Sequence, residues 1–149
     1  MAYRVKSKGV VALLQQAVRL IHASEHTHGL VPAQWTALRY FATAAPHQRT
    51  AADLARYQNM AVSPVARTVR SLFEKRLICR KPNPFDGRSE LIELTSDGRK
   101  YLKADPSGEL DRLLTALPGD QLAALATALQ AVIGGMQTKP AHEANETEN

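Results

Sequence analysis

The chain has 149 residues, a formal net charge of +5, 44% hydrophobic residues and one cysteine. That length suits a single domain with its own core, and the lone Cys79 excludes an internal disulfide and a thiolate-built metal cage. No apolar run approaches the roughly 20 residues of a spanning helix, and Met1–Val10 lacks the apolar centre of a secretory signal, so the expectation is a soluble chain of a reducing cytoplasm.

Positive charge is concentrated. Between Arg49 and Lys103 stand twelve Lys and Arg against six Asp and Glu, a surplus of six, and Arg4, Lys6 and Lys8 add a basic N-terminal arm. Such a segment is the electrostatic footprint of a polyanion partner.

In chain order, Val10, Leu13, Leu14, Ala17, Val18, Leu20 and Ile21 mark a helical stripe, stopped near His28-Gly29. A second helix begins at Pro32, carries Trp35, Leu38 and Phe41 at core spacing and closes before Pro46. Thr50 and Asp53 form a capping-box pattern that opens a short helix, Ala51–Tyr57. After the interruption "QNMAV", Ser63 as N-cap and Pro64 at the first helical position start another helix, running to about Lys75. Val65, Val69, Leu72 and Phe73 are its buried stripe. Two strand-like runs follow, Leu77–Lys81 and Ser89–Leu94, joined by a loop held between prolines. Thr95 caps a further helix; after "DPSG" and "LPGD" come Glu109–Leu117 and Gln121–Met136, and the polar tail 139–149 is expected to be disordered.

Short helix, tight turn, longer helix and hairpin is the order of a helix-turn-helix with a wing. With Val65, Val69 and Leu72 inward, Ser63, Arg67 and Arg70 share the outward face at the end that enters a major groove. An arginine there donates twice to guanine or neutralises a phosphate; the plain alternative is a solvated arginine face. The loop "NPFDGRS" sets Arg88 where a hairpin meets the neighbouring minor groove. Asp86 is expected to accept from the Arg88 guanidinium and hold it extended, with Gly87 allowing the tight turn.

The stretch "ADLARYQNMAVSPVARTVRSLFEKRLICRKPNPFDGRSELIELTSDGRKYL" resembles the central signature of MarR-type winged-helix regulators. The A-x-L-A start, the V-x-R-x-V-x-x-L helix, the D-x-R wing and the L-T-x-x-G exit occur in order at family spacing. The resemblance covers about fifty residues strongly and, with "GLVPAQWTALRYF", nearly the whole chain loosely. It implies a mainly α fold with a small β-hairpin wing: one domain over 1–138, its DNA-binding part at 30–100 and dimerisation helices at 4–28 and 101–138. It further implies a homodimer on a pseudo-palindromic double-stranded operator, a repressor released by a small ligand. Carried over by position, Ser63, Pro64, Arg67, Thr68 and Arg70 fall on the recognition helix, and Asp86 and Arg88 on the wing.

Three positions depart from that pattern. Arg76 stands where the family usually has Gly, so it either takes a left-handed conformation or the helix ends differently. Val31 replaces the usual Thr or Ser cap. Asp105-Pro106 breaks the stretch between Gly98 and Pro118, against a long continuous dimer helix.

Leu122, Leu125, Leu129, Val132 and Met136 have the 3,4 spacing of a paired-helix seam, or of a helix packed on its own domain. The family's small aromatic acids bind between the dimer helices and the winged helix, and His22, His26, Trp35 and Arg39 are the candidate lining here, Arg39 facing a carboxylate. His22 and His26 share a face at a spacing that suits zinc, yet the preferred reading is a polar helix end, with no metal and no cofactor. No glycine-rich phosphate loop, G-x-S-x-G or H-E-x-x-H occurs, so no catalytic residue is assigned and an enzyme is not expected. The competing readings are a metal-responsive regulator of the same fold and a non-specific winged-helix binder of DNA or protein.

Overall fold

The computed structural model describes residues 4–138; the expectation for the 139–149 tail lies outside the described residues. Among the described residues the elements are α-helices with one two-stranded antiparallel hairpin, and no helix is long and apolar enough to cross a membrane. The backbone divides into two compact units, one ending at Gly108 and the other starting at Glu109.

The first unit holds α1 (Ser7–Ser24), α2 (Pro32–Thr43), a 3-10 turn (Pro46–Gln48), α3 (Ala51–Gln58), α4 (Val62–Glu74), β1 (Ile78–Pro82), β2 (Glu90–Leu94) and α5 (Ser96–Lys103). Trp35, Leu38 and Phe41 lie on one face of α2 and are buried with Leu54 of α3, Val65, Val69 and Leu72 of α4, and Ile78, Ile92 and Leu94 of the hairpin. Burying Leu38 and Phe41 contributes about 2–3 kcal/mol each. This core ties the helix-turn-helix and the wing into one body.

Helix starts follow local chemistry. The Val31 N–H donates to Gln34 Oε1 at 2.9 Å, so the glutamine supplies the cap that Val31 lacks, and Gln34 Nε2 donates to Ser71 Oγ at 2.6 Å, tying α2 to α4. Thr50 accepts from the Asp53 N–H at 3.1 Å and donates to the Asp53 carboxylate at 2.7 Å, the expected cap of α3. Thr95 accepts from the Gly98 N–H at 3.1 Å and starts α5. The expectation for α4 is corrected. Ala61, not Ser63, is its N-cap, and the helix begins at Val62. Pro64 is tolerated inside the first turn because its missing N–H falls among donors the helix leaves free anyway.

Helix α1 stops at Ser24, earlier than expected. The chain then reverses through His28 (φ 54) and Gly29 (φ 72), with the Leu30 N–H donating to Thr27 O at 3.0 Å. Two successive positive φ values make this a type I′ turn, and it delivers Leu30 into the core.

Helices α3 and α4 end alike. Asn59 (φ 51) follows α3, with the Met60 N–H donating to Ala55 O at 3.0 Å. Arg76 (φ 59) follows α4, with the Leu77 N–H donating to Leu72 O at 3.1 Å. Both are Schellman closures, whose central residue is left-handed. Asn tolerates that conformation; arginine is strained in it. Arg76→Gly is therefore expected to stabilise the fold by about 0.5–1 kcal/mol, read as a higher urea midpoint at unchanged slope.

The hairpin pairs Ile78 with Leu94, Arg80 with Ile92 and Pro82 with Glu90. Helix α1 has no buried residue, and Val10, Val11, Leu13, Val18 and Leu20 are exposed.

The second unit carries most of α6 (Ser107–Thr115) and α7 (Gly119–Gln137). Helix α5 ends at Lys103 and α6 begins at Ser107, so the Asp105-Pro106 break is real. Along α7, Leu122, Leu125, Val132 and Met136 are exposed and Leu129 is half-buried.

Candidate nucleic-acid interface

The inward stripe Val65, Val69 and Leu72 fixes which face of α4 is turned out. On that face Ser63, Arg67 and Arg70 are exposed, while Pro64 and Thr68 are half-buried. The Thr68 hydroxyl donates to Pro64 O at 3.3 Å, using the helix's own backbone.

The wing loop is built by two side-chain turns. Asn83 Oδ1 accepts from the Phe85 N–H at 2.9 Å, and Asp86 Oδ1 accepts from the Arg88 N–H at 3.0 Å. Asn83 Nδ2 also donates to Ser89 Oγ at 2.8 Å, closing the loop across its neck. The expected Asp86–guanidinium brace is thus replaced: Asp86 holds the Arg88 backbone, and the guanidinium makes no ion pair among the described residues. An aspartate side chain readily reaches the N–H two residues on in an Asx turn, whereas the guanidinium is free to turn to solvent. Gly87 does not need to be glycine for its conformation, because the only glycine with positive φ among the described residues is Gly29.

A groove of about 650 Å³ runs between the helix-turn-helix and the wing, bringing Arg70 of α4 and Asp86 of the loop onto one concavity. Its rim also carries Arg56 and Arg80, which the sequence reading passed over. Both are committed to structure. Arg56 pairs with Asp53, and Arg80 lies 4.1 Å from the Phe73 ring centre and 3.3 Å from Glu90. Burial pushes the Asp53 carboxyl up, but hydrogen bonds from Thr50 and Arg56 outweigh it and hold the group below the ordinary carboxylate range. Phe85, exposed at the wing's tip and edge-on to His47, was missed as well; its only sequence signal is an aromatic in a polar loop. Arg67, Arg70 and Arg88, by contrast, are exposed and pair with no carboxylate among the described residues.

The four residues expected to line an effector site are placed differently from one another. Trp35 is wholly buried, with its indole N–H unpartnered among the described residues. His22 and His26 are exposed, their rings 5.9 Å apart and edge-on. Arg39 is already engaged. Its Nε and Nη2 donate to both Asp105 oxygens at 2.8 and 2.6 Å, and Glu25 lies 3.5 Å from Nη1. An incoming carboxylate would have to displace Asp105. A separate cavity of about 430 Å³, lined by His28, Lys100, Tyr101 and Ala104, lies beside Trp35, whose ring meets that of His28 edge-on and that of Tyr101 at a tilt. Among the described residues no group of three or more His, Cys, Asp or Glu is placed to hold a metal ion. Cys79 is a half-buried free thiol on β1.

Burial pushes the Asp105 carboxyl up, but the Arg39 hydrogen bonds, the Ser107 N–H and the Arg39 charge together hold it below the ordinary carboxylate range. A depressed folded-state pKa means a stabilisation complete above the unfolded pKa and lost as pH falls through the folded value. Asp105→Asn is expected to cost about 2 kcal/mol at neutral pH. The gap between variant and wild type should narrow as urea midpoints are followed from neutral pH into the acid range below the ordinary carboxylate pKa; a constant gap would remove the charge from the explanation.

Residues 28–89 match the MarR family. A Bacillus subtilis (strain 168) protein, the uncharacterised HTH-type transcriptional regulator YxaD, is 29% identical over 103 residues, 69% of this chain and 71% of YxaD. Among solved structures, the Staphylococcus aureus MepR–DNA complex superposes with a TM-score of 0.72 at 18% identity, over 88% of this chain and 96% of that one. The Streptomyces coelicolor regulator PcaV, solved with its natural ligand, gives 0.65 at 20% identity, over 90% and 98%.

Proposed function

We infer, from the match of residues 28–89 to the MarR family, that the chain is a MarR-type, sequence-specific double-stranded DNA-binding regulator of transcription. Its work is binding, and it acts as a homodimeric repressor that a small ligand releases. The observation that carries the reading is the set of three exposed, unpaired guanidinium groups, two on α4 and one on the wing, in a chain whose other wing and groove arginines are paired. An unpaired guanidinium keeps all five donors for guanine edges or phosphates. Arg67 and Arg70, flanked by Ser63, Pro64 and Thr68, address the major groove, while Arg88, its backbone fixed by Asp86, addresses the adjacent minor groove.

In this reading residues 30–100 bind DNA, and 4–28 and 101–138 supply the dimer surface. Support comes from the uncovered apolar side chains of α1 and, separately, of α7, which a protein in water is expected to bury. A two-fold pair reads two half-sites and doubles the recognised sequence. The cavity beside Trp35 is the seat for an aromatic acid: Lys100 supplies a cation, His28 and Tyr101 supply polar groups and rings. DNA as the partner puts the protein's work in the cytoplasm.

The test is selection from random duplex at fixed, stated salt, with molar mass measured by light scattering. A dyad-symmetric motif bound about a thousandfold or more above random DNA, by a species of twice the chain mass, is the expected result. Uniform affinity for all sequences would mark a non-specific binder and end the reading, as would a protein that stays a single chain.

A further inference from the structure

On the side of the core lined by α2, β2 and α5 lies another recess, of about 430 Å³, floored by Phe41, Leu94 and Leu102. Its polar wall is Arg49, Arg99 and Glu93. Arg49 is fixed at both ends. Its carbonyl accepts from the Ile92 N–H at 2.7 Å, and its Nε donates to Ala44 O at 3.0 Å, the open end of α2. That leaves the outer edge of its guanidinium toward the recess, 4.0 Å from Glu93. Glu93 is itself taken by Lys81 at 2.7 Å. Its carboxyl is held below the ordinary range first by that hydrogen bond, against a smaller effect of burial, and further by the charges of Lys81, Arg49 and Arg99. Three cations therefore converge on one carboxylate, and Arg99 makes no ion pair among the described residues.

We propose that this recess is a binding site for a small oxyanion, a carboxylate or phosphate group seated between Arg49 and Arg99. Arginine suits such a group because its planar fork donates two parallel hydrogen bonds to two oxygens. The volume falls in the range of small-ligand pockets, and the apolar floor leaves room for a short carbon body. Glu93 competes for the same cations, so it sets the affinity: it keeps the recess from binding anions indiscriminately and would be pushed aside, toward Lys81, when one enters. The site stands whether or not the DNA-binding reading holds, and it is separate from the cavity lined by Lys100.

The same oxygens could come from a free anion or from a duplex backbone, and we assign the free anion because the recess reaches Phe41 in the core. The full-length chain is titrated with inorganic phosphate and, separately, malonate, at constant ionic strength made up with chloride. Arginine Nε–H resonances report the contact. Expected are saturable shifts of the Arg49 and Arg99 signals, abolished in Arg99→Gln and saturating at several-fold lower concentration in Glu93→Gln. Arg99 is exposed and Glu93 half-buried, and a melting curve for each variant verifies its fold. Linear, unsaturating shifts, or the same curve in Arg99→Gln, overturn the proposal. In the other arm, the salt dependence of duplex binding is compared for wild type and Arg99→Gln. An unchanged slope supports a free anion; a slope lower by about one without saturable phosphate or malonate binding assigns the arginines to DNA and overturns it.

Discussion

Arg88→Ala is expected to weaken binding to the selected duplex by tenfold to a hundredfold, about 1–3 kcal/mol, while molar mass and thermal midpoint stay where they are. The folded chain loses little because Arg88 is exposed and its guanidinium is tied to nothing among the described residues. Substitutions at such surface sites usually fall within about 0.5 kcal/mol. The duplex loses a cation delivered by a loop whose shape is already set by Asn83 and Asp86, so little ordering entropy offsets the contact. Asp86 separates two accounts of the wing. As a backbone brace it acts through one hydrogen bond, which an asparagine can also accept. Asp86→Asn should then bind as well as wild type or more tightly, having shed a negative charge, whereas Asp86→Ala should bind less well. Equal tightening by both would mean the carboxylate matters only as charge. An unmoved affinity in Arg88→Ala would remove the wing from the interface.

What could be read from the sequence was what depends on neighbours in the chain. Thr50 with Asp53 and Thr95 with Gly98 announce their helices because a cap is made within a single turn of chain. The buried stripe of α4 follows from spacing alone. Two departures were also legible as questions: Arg76 does take the left-handed conformation, and Asp105-Pro106 does break the helix. The start of α4 was misplaced because Ser and Pro are both permitted throughout a first turn, so their presence fixes the turn and not the position within it. Arg39 was beyond reach for a different reason. Its partner Asp105 is 66 residues away, and no local pattern distinguishes an arginine awaiting a ligand from one that the fold has already satisfied. Asp86 lies between these cases: the D-x-R spacing is visible, but whether a carboxylate meets the backbone or the guanidinium is decided by rotamers that spacing does not record.

The glycine of the L-T-x-x-G exit is the position where the smallest change should have the largest structural effect. Gly98 sits in the first turn of α5 with an ordinary negative φ, so its backbone conformation would admit any residue. What it lacks is space. A Cβ built there would stand 2.1 Å from the carbonyl oxygen of Leu77 and 3.1 Å from its carbon, both backbone atoms that cannot rotate away. The same oxygen accepts from the Thr95 N–H at 3.0 Å, and the Thr95 hydroxyl donates to Arg76 O at 2.8 Å, so α5 is bolted directly onto the chain leaving α4. Relieving the clash means lifting α5 off that segment, breaking those bonds and opening the packing of Leu77 and Leu94. Gly98→Ala is expected to cost about 3 kcal/mol, toward the upper end for overpacking, and to lower the melting temperature by about 10 °C. Gly87→Ala is the internal control. Nothing lies within 4 Å of its added Cβ and its φ is not positive, so its midpoint should move by no more than about 0.5 kcal/mol. Equal midpoints for the two alanine variants would show that the close approach of α5 to Leu77 does not exist in solution. The position of the wing's base relative to the recognition helix would then need another explanation.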